Sequence, residues 1–203
     1  MSTDDKRKYA QQLSGVILNT ARSLFEEHGV DAVSMHQVAK SAGIGQGTLY
    51  RRYANKGDLC LDLMKDRFRH LSEDWNTYLK QNADTPAVKR LRYLMRSLIH
   101  FVEKDADWIA TIQSSTACSP DRLNFFETPP YVYMFTTICT LFEEAANMGE
   151  MAPVQAPFVT HMLISCLSPV VHLHLRQVHG YTTEQIADYF SMYFIDPLFK
   201  RTS

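Results

Sequence analysis

Apolar residues recur along this chain at the spacing of helices rather than in the alternation of strands. No Asn-Gly or Asp-Gly dipeptide marks a β-hairpin turn. One apolar stripe ends near Gly29, a residue typical of helix termini, and it consists of Ile17, Leu18, Ala21, Leu24 and Phe25. The pattern predicts an all-α protein of about nine helices.

Polar, proline and glycine residues separate the other predicted helices. One helix is expected to begin with Thr85 as its N-cap and Pro86 in its first position. The last helix is expected to begin near Thr183. After the first helix, the predicted segments are 34–42, 46–53, 55–80, 85–102, 105–116, 129–148, 155–179 and 183–199.

Three short elements within residues 33–53 carry the functional signal. Ser34 followed by Gln37 matches a capping box, which places a helix start at Ser34. Gly43 is positioned to end this helix in a left-handed conformation, and a Gly-Ile-Gly turn follows with Ile44 expected to be buried beneath it. Since a second short helix begins at once, the three elements predict a helix-turn-helix unit, whose second helix enters the DNA major groove.

The second helix of this unit carries polar side chains suited to DNA. Arginine matches a guanine edge, glutamine an adenine edge, and Tyr or Thr hydroxyls reach phosphates. Asn55 is expected to cap the next helix and so to place Lys56 at a second phosphate site. For Arg51, Arg52 and Lys56, the competing interpretation is a solvated helix face. The predicted DNA-contacting residues are Ser34, Gln46, Gly47, Thr48, Tyr50, Arg51, Arg52 and Lys56.

Composition narrows the class of protein. Of 203 residues, 45% are hydrophobic and 21% are charged, and the formal net charge is −1, which excludes a histone-like polycation or a disordered tail. Residues 1–70 hold 11 Lys or Arg and 8 Asp or Glu, whereas the rest holds 10 and 14. This asymmetry hints at an anion-binding N-terminal end. The four cysteines form no CxxC pair, so neither a zinc ribbon nor a thioredoxin-type site is indicated. No cofactor and no metal ligand are predicted.

The helix-turn-helix stretch resembles the TetR family of bacterial transcriptional repressors over about residues 10–65. Three positions depart from the family pattern: Gly45 replaces a Ser or Thr cap, Arg52 replaces a His, and Tyr53 replaces a Phe. The matching positions are Ser34, Val38, Ala39, Ala42, Gly43, Ile44, Gly47, Leu49, Tyr50, Lys56 and Leu59.

This resemblance implies a two-domain regulator. Residues 1–54 would form the helix-turn-helix domain, and residues 55–203 a helical domain for effector binding and dimerisation. A homodimer would form through helices at about 155–179 and 183–199, which are too apolar for exposed helices. The dimer would bind a pseudo-palindromic operator, and a small-molecule effector would release it by moving the helix that begins at Asn55. Repression rather than activation follows only from family habit.

The effector site is predicted mainly from the resemblance. Large side chains of the middle segment belong to a core by default, and residues 119–124 are a candidate entrance. The effector is expected to be largely apolar or aromatic. A polar stripe through His161, His172 and His179 would face solvent or a dimer rim, line a pocket, or hold a metal. The candidate effector-binding residues are Trp108, Phe126, Tyr133, Met134 and His172.

Three other classes compete with a regulator. An enzyme or cofactor-binding bundle lacks support, since no GxSxG, P-loop, HExxH or ExxH pattern occurs. A non-specific architectural DNA binder would carry more positive charge. Residues 151–175 hold no charged side chain and are long enough to span a membrane, but their prolines and histidines favour a buried helix. Because no apolar leader occurs at its start, the chain is expected to be cytoplasmic.

Overall fold

A computed structural model describes residues 3–116 and 125–200, and within these ranges the chain forms ten α-helices and no β-strand. The all-α prediction is therefore confirmed. An isolated antiparallel bridge pairs Met151 with Phe199. The helices are α1 (Thr3–His28), α2 (Met35–Ser41), α3 (Gln46–Arg52), α4 (Lys56–Leu63), α5 (Lys65–Gln81), α6 (Ala87–Thr116), α7 (Pro129–Asn147), α8 (Ala156–Ser165), α9 (Pro169–Gln177) and α10 (Thr183–Phe190).

The chain divides into two compact units, each built from separate stretches of sequence. The first unit comprises residues 1–66 and 107–122, and the second comprises residues 67–106 and 123–203. The chain therefore passes from one unit to the other within α5 and again within α6. The functional domains expected at 1–54 and 55–203 stay a prediction, because compact packing does not by itself report function.

The core of the first unit is built on the predicted stripe of α1. Ile17 and Ala21 are fully buried, and Phe25 is nearly so. The Phe25 ring meets the Trp108 ring edge-on, with 6.0 Å between centroids. Trp108 lies in the last part of α6, so a segment from the middle of the chain completes this N-terminal core.

A close approach between α4 and the end of α6 requires a glycine. A Cβ atom on Gly57 would lie 2.5 Å from the Cβ of Ser115, a separation at which the two atoms overlap. Gly57 is buried, and nothing in its neighbourhood in sequence marks it as a packing position. Only the folded unit shows why a side chain is not tolerated there.

The second unit packs around a buried tryptophan. Trp75 is fully buried and donates a hydrogen bond from Nε1 to Ser97 Oγ at 2.6 Å. The N-terminus of α6 is satisfied by a distant side chain, since the backbone N–H of Ala87 donates to Glu150 Oε2 at 2.7 Å. The helix begins at Ala87, one residue after Pro86, the predicted first position.

Two helices that the sequence predicts as continuous are broken, so those predictions are wrong. The helix expected over 55–80 ends at Leu63 and resumes at Lys65. The helix expected over 155–179 is α8 and α9, which meet at a bend of 46°. Pro169 occupies the first position of α9, where its missing N–H leaves no donor unsatisfied.

The last helix begins as predicted at Thr183, with Thr182 as its N-cap. After α10 the chain continues as a π-helical turn over Ser191–Ile195 and a 3-10 turn over Asp196–Leu198. No single described helix is long and apolar enough to cross a membrane, although α8 and α9 together meet that length and composition test as a bent pair.

Candidate DNA-binding surface and ligand cavity

The N-terminus of α2 is closed by the predicted capping box. Ser34 Oγ accepts a hydrogen bond from the N–H of Gln37 at 3.2 Å, and Gln37 Oε1 accepts one from the N–H of Ser34 at 2.7 Å. The Ser34 hydroxyl also donates to Gln37 Oε1 at 2.8 Å. Ser34 is exposed, as a DNA-contacting residue must be. Its hydroxyl is nevertheless already engaged in the cap.

The turn after α2 is a Schellman motif centred on a left-handed glycine. Gly43 has φ of +67°, which confirms the predicted conformation. Its N–H donates to the carbonyl of Lys40 at 3.2 Å, and the N–H of Ile44 donates to the carbonyl of Ala39 at 3.0 Å. Ile44 is only partly buried, so the prediction that it lies beneath the turn is wrong in degree.

A buried leucine fixes which side of α3 is exposed. Leu49 is fully buried, and Gly45 serves as an N-cap without a side-chain hydrogen bond. Tyr50 is 47% exposed, a high fraction for a large aromatic side chain. The exposed predicted residues of α3 are Gln46, Gly47, Tyr50, Arg51 and Arg52, and Thr48 is half-buried. The fold therefore brings six of the eight predicted DNA-contacting residues onto one short helix.

Two hydrogen bonds order the polar side chains on this surface. The side-chain amide of Gln46 pairs with Nδ1 of His36 on α2. Arg51 Nη2 donates to Thr48 Oγ1 at 3.2 Å. The histidine is an addition to the predicted set, because the sequence placed it on α2 without indicating that it contacts Gln46.

Lys56 has a structural partner that the sequence did not indicate. Its Nζ donates to the carbonyl of Val30 at 2.7 Å, in the connection between α1 and α2. The predicted cap of α4 is confirmed, since Asn55 Oδ1 accepts from the N–H of Asp58 at 2.8 Å. The ammonium of Lys56 therefore ties α4 to the α1–α2 connection, and a phosphate contact by this residue stays a prediction.

The residue that ends α3 is held by a carboxylate from α4. Tyr53 is 5% exposed, and its hydroxyl donates to Asp62 Oδ2 at 2.5 Å. Burial, with the hydrogen bond to Asp62, raises the pKa of Tyr53 to about 12. Burial would raise the pKa of Asp62 too, but hydrogen bonds from Lys65 and Tyr53 outweigh it and lower that pKa. The hydroxyl that distinguishes Tyr53 from a phenylalanine thus links α3 to α4.

Comparison with known proteins identifies the family to which this helix-turn-helix unit belongs. A family model for the bacterial regulatory proteins of the tetR family matches residues 17–63, from within α1 to the end of α4. An HTH-type transcriptional regulator of Staphylococcus aureus is 31% identical over 169 residues, which cover 80% of this chain and 81% of that protein. The chain belongs to the TetR family. It is therefore a helix-turn-helix transcriptional regulator.

Solved structures of TetR-family proteins share the fold of this one at low sequence identity. FadR of Thermus thermophilus, a TetR-family repressor in complex with lauroyl-CoA, has a TM-score of 0.70 at 17% identity and covers 94% of this chain and 97% of its own. FadR of Bacillus subtilis, in complex with stearoyl-CoA, has a TM-score of 0.65 at 16% identity and covers 89% and 97%. The likeness extends over both units and concerns the fold.

The second unit of this TetR-family protein holds an apolar cavity of about 440 Å³. Its floor is buried and includes Ile99 and Val102 of α6 and Phe190 of α10. Its rim is exposed and includes Val171 and Tyr193. The volume falls within the range of about 300–1,000 Å³ typical of small-molecule sites.

A hydrogen-bonded cluster of three side chains stands at one wall of the cavity. His172 is 5% exposed, and its Nε2 pairs with Glu103 Oε2. Arg176 Nε donates to the other oxygen of Glu103 at 3.0 Å. Burial alone would raise the pKa of Glu103, but the hydrogen bonds from His172 and Arg176 lower it. The glutamate therefore stays ionised with both oxygens engaged.

The five predicted effector-binding residues do not come together. His172 lines the cavity, whereas Trp108 belongs to the first unit. Met134 is buried in the core of the second unit, and the Tyr133 hydroxyl donates to the carbonyl of Ser72 at 3.0 Å. The predicted entrance at 119–124 lies outside the described residues. Phe126 is 49% exposed and does not line the cavity. Effector binding by these five residues stays a prediction.

The histidine stripe is divided by the break between α8 and α9. Nδ1 of His161 shares a hydrogen bond of 2.5 Å with the Tyr131 hydroxyl. The His161 ring also packs edge-on against the Phe126 ring, with 5.8 Å between centroids. His172 faces Glu103, and His179 is exposed. Among the described residues, no group of three or more His, Cys, Asp or Glu side chains is placed to hold a metal ion.

Proposed function

We propose that this regulator is a repressor that binds a pseudo-palindromic operator as a homodimer and releases it when a small molecule binds the second unit. The observation that carries the proposal is the geometry of α2 and α3. A capped helix, a Schellman turn and a second helix anchored by buried Leu49 leave the polar side of α3 exposed. This is the arrangement with which a recognition helix enters the major groove.

The side chains on α3 divide into two groups by chemistry. Gln46 and Arg51 have the planar groups that pair with base edges, and each is oriented by a neighbour, His36 or Thr48. Arg52 and Tyr50 present donors suited to phosphates. Pre-ordering by His36 reduces the side-chain entropy that Gln46 loses on binding.

Selection of bound duplexes from a random DNA pool at fixed salt tests operator recognition. The expected result is a palindrome whose half-sites lie about one helical turn, or a multiple of it, apart. Arg51→Ala should weaken binding and relax the preference at one base pair of each half-site. Arg22→Ala removes an exposed arginine of α1 in the same unit and serves as the matched control. An unenriched pool with folded protein would refute the DNA-binding proposal.

An unusually apolar surface on α8, α9 and the end of the chain supports the homodimer. Phe158 is 66% exposed, Val170 68% and Met192 52%. Several large apolar side chains exposed on neighbouring segments favour a protein–protein contact. In a two-fold dimer the same surface would be used by both copies. The predicted interface segments, 155–179 and 183–199, carry these residues.

The homodimer is tested by placing a charge on this surface. Phe158→Glu should shift the sedimentation profile from dimer to monomer, because a carboxylate would be buried at the contact without a partner. Val132→Glu is the matched control, since Val132 is 47% exposed but lies on α7, outside the proposed interface. Equal behaviour of the two variants would refute the assignment of the interface.

Ligand response is supported by the cavity in the second unit and by the path of the chain. The two FadR relatives hold acyl-CoA molecules, which shows that regulators with this fold accommodate ligands. In this chain α5 and α6 each pass from the second unit into the first, so a ligand-dependent shift of either helix would reach the helix-turn-helix unit. A coupling of about 1–3 kcal/mol would change operator affinity roughly 5- to 150-fold.

A further inference from the structure

We propose that the effector site is the cavity lined by α6, α9 and α10, and that it takes a neutral, largely apolar molecule with an aromatic ring. This inference rests on the proposed ligand response, because it assigns the site and the ligand class of that response. It differs from the site that the sequence predicts, with which it shares only His172.

The absence of available charge in the lining favours a neutral ligand. Among the described residues that line the cavity there is no Lys, Arg, Asp or Glu. Both oxygens of Glu103 are engaged, one by the lining residue His172 and the other by Arg176, so this carboxylate is already paired. A charged ligand would lose its hydration without gaining a counter-ion, which is costly in an apolar site.

The rings around the cavity favour an aromatic ligand. Five aromatic side chains line it, and aromatic pairs gain from edge-on or offset contacts beyond the area that they bury. Three of these rings form a chain along the rim, with Tyr181 edge-on to Tyr189 at 5.8 Å and Tyr189 tilted towards Tyr193 at 6.2 Å. The five are Tyr181, Tyr189, Phe190, Tyr193 and Phe194.

An irregular helical turn forms part of the cavity wall. Tyr193 and Phe194 belong to the π-helical turn Ser191–Ile195. Such turns are rare and occur often at functional sites, because the widened turn redirects side chains that a regular helix would point elsewhere. Here the redirected side chains are cavity-lining rings.

The cavity also adjoins the part of α6 that leads towards the first unit. Val102 forms part of its floor, and the next turn of α6 contains Asp105, whose φ of −126° and ψ of 23° interrupt the helix. His172, another lining residue, bonds to Glu103 on the same turn. A molecule in the cavity therefore contacts α6 just before the break, where a small displacement is easiest to accommodate.

Three probes that differ in charge test the ligand class. N-phenyl-1-naphthylamine is neutral, and 1-anilinonaphthalene-8-sulfonate is an anion of similar shape. Tetraphenylphosphonium is a cation, and its binding is measured by how well it displaces the neutral probe. The neutral probe should bind at least 10-fold more tightly than either charged one. Equal or tighter binding of a charged probe would overturn the proposed class.

Two adjacent valines of α9 test the location of the site. Val171 lines the cavity and is 50% exposed, whereas Val170 is 68% exposed and does not line it. Val171→Trp should weaken binding of the neutral probe at least 10-fold by filling the mouth, and Val170→Trp should leave it unchanged. Tyr193→Ala, at another exposed rim position, should weaken it without adding bulk. If none of the cavity variants changes probe binding, the site is elsewhere.

A titration of protein concentration separates a ligand site from a dimer contact. If a second copy of the chain fills the cavity, the affinity for the neutral probe will fall as the protein dimerises, and this outcome overturns the proposal. In the expected case the affinity is independent of concentration, and the probe weakens operator binding at least 5-fold. A dimer that selects an operator but ignores the probe would refute this inference alone, whereas a failure to select any operator would refute the proposed function.

Discussion

A buried ion pair near the break in α6 makes a sharp prediction about stability. Within the second unit, Arg67 Nη1 on α5 pairs with Asp105 Oδ1 on α6. The side chain of Asp105 is 1% exposed, whereas that of Arg67 is 37% exposed. Neither oxygen of Asp105 has a hydrogen-bond partner of acceptable geometry among the described residues. The guanidinium of Arg67 is therefore the main compensation for a charge held away from water.

This difference in exposure makes the two single substitutions unequal. Arg67→Met leaves the buried carboxylate without its cation, which should lower the free energy of unfolding by about 3–5 kcal/mol. Asp105→Leu removes the buried charge and leaves a guanidinium that water can reach, so the loss should be about 1 kcal/mol or less. The double substitution replaces the pair by apolar groups and should lie close to the wild type.

Urea unfolding, followed by circular dichroism at one protein concentration, measures these differences. Because burial of an unpaired carboxylate favours its protonated form, the deficit of Arg67→Met should be smaller at pH 5 than at pH 7.5. Equal losses in the two single variants, or a double variant as unstable as Arg67→Met, would refute the reasoning.

Two further predictions concern the first unit. In thermal unfolding, Gly57→Ala should destabilise the protein by about 1–3 kcal/mol, because the added Cβ overlaps Ser115. A second substitution, Ser115→Gly, should restore the lost stability. Gly47→Ala is the control and should not destabilise the protein, because a Cβ at Gly47 meets open space. Tyr53→Phe should cost about 0.5–1.5 kcal/mol at pH 7 through loss of the bond to Asp62. Because the pKa of Tyr53 is raised from 10.0 to about 12, the folded state favours the protonated phenol, and this stabilisation is complete below pH 10 and is lost as the pH rises through 12. The gap between wild type and Tyr53→Phe should therefore narrow over that interval, and a constant gap would contradict the assigned bond.

The predicted effector residues show how much side-chain type alone leaves open. Tyr133 and Met134 are large and adaptable, which suits a ligand pocket and a protein core equally well. In the fold they are packing residues, and the cavity instead uses aromatic side chains near the end of the chain. The sequence predicts those same side chains as part of a dimer surface, because an apolar residue on an amphipathic helix does not reveal what covers it.

The sequence by itself determined the features that arise from neighbours within about five residues. The capping box of Ser34 and Gln37, the left-handed turn at Gly43 and the inward position of Leu49 all follow from local hydrogen bonding and helical periodicity. These features mark the helix-turn-helix unit in the sequence and predict which side of α3 is exposed.

Tertiary structure decided the contacts between residues that are distant in sequence. Lys56 lies 26 positions from the carbonyl that it binds, Ala87 lies 63 positions from its capping carboxylate, and Glu103 lies 69 positions from His172. Helical periodicity shows which side of each helix is apolar, but it does not set the pairing or the angle between helices. Those depend on how side chains of different helices interdigitate, so the cavity, the buried ion pair and the close approach at Gly57 emerge only when the units are packed.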